Sequence, residues 1–75
     1  MDFHYKDEKI KLGLNIAYYR KLNGFTQESL AEKANISINH IAKVETAQVG
    51  LSMDKLFAIA EALEVPASKL LEFRE

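Results

Sequence analysis

The stretch SINHIAKVE, residues 37–45, follows LAEKANI, residues 30–36, with no Gly or Pro between them. Ser37 is a natural helix N-cap, because its short hydroxyl accepts from a free backbone N–H of the first turn. Past that cap, Ile38, Asn39, His40, Ala42 and Lys43 fall on or near one side of a short helix. This mixture is too apolar for a merely solvated face and too polar for a core. At about 100° per residue, Ile41, Val44 and Glu45 point to the other side, which must be inward. Asn39, Ala42 and Lys43 then centre the outward side, flanked by Ile38 and His40, and no acid interrupts them.

Upstream, Leu30 and Ala34 give a preceding helix its buried side, and Ala31 is small enough for close approach. That helix opens at TQES. Thr26 is its N-cap; Ser29 stands where the Glu or Gln of a capping box would be, so a capping box is not expected. Glu28 in the first turn suits the helix dipole. Asn35 ends the helix, since Asn tolerates the left-handed conformation better than most residues. The two helices are joined by about three residues. So tight a joint forces a steep crossing, as in a helix-turn-helix.

Working outward, apolar residues recur at three and four with no sustained alternation, which predicts helices throughout. A first helix is expected over about 7–23, with Leu12, Ile16 and Tyr19 on one stripe and Gly24 as its stop. Ser52 should cap a fourth helix whose stripe is Met53, Leu56, Phe57, Ala60 and Leu63. Pro66 should stand near the first position of a short fifth helix, with Leu70, Leu71 and Phe73 as its apolar contacts. The fold class is therefore all-α, five short helices. One domain of residues 1–75 is expected, with residues 1–6 as a flexible arm and the helix-turn-helix over about 26–46.

A chain of 75 residues buries only about 60–65% of its unfolded surface, so help from a partner subunit is unsurprising. Absence of Cys excludes disulfides and thiolate metal sites. The longest apolar run, LFAIA, is far shorter than the roughly 20 residues of a membrane span. The charged start MDFHYKDEKIK has no apolar signal core. A cytoplasmic protein is expected. Net charge is −1, but residues 1–44 carry seven Lys and Arg against five acids, and residues 45–75 carry three against six. A basic half and an acidic half imply two different faces.

QESLAEKANISINHIAKVE resembles the helix-turn-helix of the Cro-like phage-repressor family, also called XRE. Ala31 matches the family's tightly packed Ala, Asn35 stands where Gly is usual, and Leu30, Ile36, Ile41 and Val44 match its apolar positions. The resemblance runs from about Leu12 to Leu71 and implies a five-helix, lambda-repressor-like DNA-binding domain. It implies that Ile38, Asn39, Ala42 and Lys43 face bases. Asn pairs with adenine, Lys donates to guanine or phosphate, and Ala or Ile touches a thymine methyl. Ser37 and His40 complete the DNA-binding set at the helix start and flank. The position of Gln27 meets either the DNA backbone or the recognition helix. The family often pairs an Arg on helix 1 with a Glu at the end of helix 3, which implies an architectural Arg20–Glu45 pair. Two departures stand out: the loop TAQVGLS lacks the basic residues that meet phosphates, and Ile38 replaces a frequent Arg.

The function so implied is a sequence-specific transcriptional regulator, a homodimer on a palindromic operator of double-stranded DNA. The competing reading is a protein-interaction module, or an antitoxin-type partner of another protein, that keeps the fold with little DNA binding. An enzyme is not expected: there is no Cys nucleophile, Gly-rich phosphate loop or paired His. No cofactor, metal or small-molecule ligand is implied.

Overall fold

Five helices follow one another in a computed structural model that describes residues 5–73: α1 Lys6–Leu22, α2 Gln27–Ala34, α3 Ile38–Glu45, α4 Met53–Leu63 and α5 Ala67–Leu70. There is no strand among the described residues. The first four residues of the expected arm lie outside the described residues; Tyr5 is the N-cap of α1 and Lys6 is already helical.

One core serves all five helices. Ile16 of α1, Leu30, Ala31 and Ala34 of α2, Ile41 and Val44 of α3, Leu56, Ile59, Ala60, Ala62 and Leu63 of α4, and Leu70 of α5 are buried together. α2 packs on both α3 and α4, while α1 packs on α3, α4 and α5. Half-buried Leu12 and Tyr19 complete the expected α1 stripe.

Four of the five helices end in one motif. After α1 the Phe25 N–H reaches the Arg20 carbonyl and the Gly24 N–H reaches Lys21. The same paired bonds follow α2 (Ile36 to Ala31, Asn35 to Glu32), α3 (Gln48 to Lys43, Ala47 to Val44) and α4 (Val65 to Ala60, Glu64 to Glu61). This Schellman arrangement places one residue in the left-handed region and satisfies carbonyls the helix leaves open. The residues so placed are Gly24 (φ 77°), Asn35 (58°), Ala47 (64°) and Glu64 (59°). Only one of them is the glycine that geometry favours.

Three expectations need correction. α2 does have a capping box: the Ser29 N–H donates to Thr26 Oγ1 at 3.0 Å and the Thr26 N–H donates to Ser29 Oγ at 2.9 Å. A Ser hydroxyl one turn on is close enough to return the bond that Glu or Gln usually returns. On α4, Met53 and Phe57 are exposed, and Ile59 and Ala62 are inside. The apolar residues of α4 cover more of its circumference than its neighbours bury, so composition overstated which side faces in. In the fifth helix Pro66 is the N-cap, beside the first helical position as expected, but the expected apolar contacts divide. There Leu70 is fully buried while Leu71 is exposed, so Leu70 closes the monomer core.

Candidate nucleic-acid interface

α3 is held from behind at three points. The first is a close crossing. A Cβ on Gly13 of α1 would lie 2.6 Å from the Val44 carbonyl oxygen and 2.7 Å from that of Glu45. Those are backbone atoms, so α1 approaches the end of α3 this closely only because residue 13 has no side chain. The second is an ion pair. Arg20 Nε donates to Glu45 Oε2 at 2.7 Å and Nη2 donates to Oε1 at 3.2 Å, with side chains only 11% and 6% exposed. Two parallel bonds of this kind set geometry as well as energy. Arg20 Nη1 also donates to the Phe25 carbonyl at 2.9 Å, tying in the turn before α2. The third is Gln27, whose Nε2 donates to Glu45 Oε1 at 2.9 Å. One carboxylate at the end of α3 thus joins α1 and the start of α2.

Gln27 thus makes the expected contact with α3. The inward Glu45 and its Arg20 partner are as expected from the sequence. Gly13 was not singled out there, although a Gly inside a helical pattern carries a propensity cost that usually has a packing reason.

The front of α3 is laid out as the helical geometry requires. Ile41 and Val44 are buried, Asn39 and Lys43 are exposed, and Ala42 between them is half-buried. Ile38 is 48% exposed at the edge. Ser37 is exposed, and its hydroxyl accepts the His40 N–H at 3.1 Å, fixing the first turn. His40 is the exception. Expected as a flank near phosphate or solvent, it is half-buried, and its Nε2 is sealed from solvent with no hydrogen-bond partner among the described residues. At 100° per residue it stands nearer to buried Val44 than to Asn39, so its ring tip turns toward the body. Thr46, outside the predicted set, continues the outward face. Its hydroxyl donates to the Ala42 carbonyl at 3.0 Å and accepts from Gln48 Nε2 at 2.8 Å.

The face therefore offers a side-chain amide, a single ammonium, a methyl and an isobutyl-sized apolar edge, on a helix whose other side is clamped. It has no nucleophile–base pair, and no group of acids and histidines among the described residues could hold a metal ion. What it can do is present hydrogen-bond donors and acceptors in a fixed register. That defines a helix-turn-helix of the DNA-reading class.

Comparison with known proteins agrees. The family model described as helix-turn-helix matches residues 16–70. Control protein C.SmaI of Serratia marcescens is 33% identical over 70 residues, covering 93% of this chain and 83% of that protein. Among solved structures, the restriction-modification controller protein C.AhdI from Aeromonas hydrophila superposes with a TM-score of 0.84 at 25% identity, covering 85% of this chain and 97% of that one. A hypothetical transcription factor, NHTF, from Neisseria superposes with a TM-score of 0.86 at 27% identity, covering 89% and 77%. The chain belongs to the XRE-type helix-turn-helix family and is a DNA-binding regulator. No helix among the described residues is long and apolar enough to cross a membrane.

Proposed function

We propose that the chain is a sequence-specific, cytoplasmic transcriptional regulator of the controller type, non-enzymatic, acting as a homodimer on a palindromic operator with α3 in each major groove. The observation that carries this is the contrast between the back of α3, clamped through Glu45, and its acid-free front. A recognition helix needs a rigid mount and free side chains, and both are present here. In this reading Asn39 pairs with adenine, Lys43 donates to guanine or phosphate, and Ile38 and Ala42 touch thymine methyls. Ser37 lies at the helix start, where a phosphate suits the exposed end. Gln27 acts at one remove, by holding Glu45. His40 supports α3 from its inward flank.

The likeness to two controller proteins supports the controller-type reading. The dimer draws on apolar surface the monomer leaves open: Leu71, together with Met53 and Phe57 one turn apart on α4. A two-fold dimer accounts for a palindrome, since symmetric protein meets symmetric half-sites. The bare loop after α3 lowers the number of phosphate contacts. With about three phosphates neutralised per bound unit, the log–log salt slope is about −3 rather than −6 or steeper.

Selection from randomised duplex DNA at moderate salt tests this, with Asn39→Ala/Lys43→Ala beside the parent. An enriched palindrome that the double variant does not enrich supports the reading. No enrichment by a folded parent protein turns the assignment to a protein-interaction module, the reading that the acidic C-terminal half favours.

A further inference from the structure

The outer face of α1 takes no part in mounting α3. Along it Ile10, Leu14, Tyr18 and Leu22 recur at every fourth residue, between 38% and 66% exposed. Scattered single apolar residues on a surface need no explanation, but a continuous row does. The Tyr18 ring packs edge-on against Tyr19, centroids 5.0 Å apart.

Charge at its two ends identifies what fits. Asp7 and Lys21 lie seven residues before and after Leu14, which puts all three on one side of the helix. Both are exposed, and neither has an ion-pair partner among the described residues. The pattern is complementary to itself when reversed. About a two-fold axis through Leu14, an antiparallel second α1 sets Leu14 against Leu14 once, and Ile10 against Tyr18 and Asp7 against Lys21 twice each. The acidic first turn then meets the partner's basic last turn, and the helix dipoles oppose. An isologous contact of this kind needs one patch that matches itself. The matched set spans residues 7–21, about 20 Å of helix at 1.5 Å per residue.

The geometry points to a second self-association surface, an antiparallel α1–α1 pairing between two copies of this chain centred on Leu14. It uses none of the residues of the DNA-reading face or of the Met53, Phe57 and Leu71 surface, and does not rest on the function proposed above. A single helix pair is smaller than the roughly 800 Å² per partner of a standard stable interface. The contact is therefore weak alone and adds to another, joining copies already brought together.

The chain has no cysteine, so single introduced thiols report proximity. Leu14→Cys, oxidised with glutathione disulfide without DNA, should form covalent dimers at least about tenfold faster than Glu28→Cys, an exposed control on α2, because disulfides form only where Cα atoms come within about 7 Å. Ile10→Cys mixed with Tyr18→Cys should cross-link faster than either alone. Adding Asp7→Lys to Leu14→Cys should slow capture, and adding Lys21→Asp as well should restore it. Circular dichroism confirms that each variant is folded. Capture of Leu14→Cys at the control rate overturns the proposal, as does a charge reversal that the second reversal does not rescue; either result leaves the row to a partner of different sequence.

Discussion

The two sides of α3 obey different physics. On the inward side every position is determined by what surrounds it. Ile41 and Val44 are packed, Glu45 is held by Arg20 and Gln27, and the backbone itself touches Gly13. On the outward side Asn39 and Lys43 reach into solvent and touch nothing that dictates their identity. Substitution at the back should therefore change stability, and substitution at the front should change recognition alone. One eight-residue helix thus carries a packed mount on one side and an unconstrained surface on the other.

Several variants sharpen that division. The largest effect is expected from Arg20→Ala, which leaves the Glu45 carboxylate without its cation in a nearly closed site; breaking such pairs costs about 3–5 kcal/mol. In a domain this size that lowers the melting temperature by well over 10 °C, and an unchanged thermal melt would remove the pair from the mount. Gly13→Ala comes next. A methyl group 2.6 Å from a carbonyl oxygen forces the helices apart, with about 1–3 kcal/mol expected from overpacking. Chemical denaturation measures it, and a neutral result would mean that the crossing is looser than the geometry requires.

Ala47→Gly should act in the opposite direction. Ala47 holds φ at 64° to close α3, a conformation glycine adopts without Cβ strain. Stabilisation of roughly 0.5–1 kcal/mol is expected. A loss of stability would show that the methyl group of half-buried Ala47 contributes more packing than strain. The smallest thermodynamic effect belongs to the front: Lys43→Ala should change folding stability by under about 0.5 kcal/mol. If Lys43 meets phosphate, its loss should also flatten the salt slope of DNA binding by about one. If it reads a base, affinity should fall at one operator position with the slope nearly kept.

Much of this was legible in the sequence, and the reasons are local. Asn35 in its left-handed turn, Ser37 and Ser52 as caps, and the burial of Ile16, Leu30, Ile41 and Val44 follow from spacing and side-chain chemistry. The Arg20–Glu45 pair was available from the family resemblance and from the cost of a lone inward carboxylate. The remainder depends on what lies across space. Gly13 reads as a weak helix residue until α3 is placed against it. Gln27 suits DNA or protein equally until Glu45 is seen beside it. His40 sits at the border of the two faces of α3, where a few tens of degrees decide between solvent and interior. Met53 and Phe57 belong to an apolar band wider than the surface available to cover it. Ala47 and Glu64 occupy left-handed positions that composition assigns to glycine, because the Schellman bonds hold them there.

The central claim is tested most directly by measuring, on one sample each, the thermal melt and the affinity for the selected operator of the parent protein and of Asn39→Ala/Lys43→Ala. The account predicts superimposable melts and a loss of operator affinity of at least tenfold, the double variant binding operator and random duplex alike. Equal operator affinity with equal melts would contradict it, because the front of α3 would then not be the surface that reads DNA.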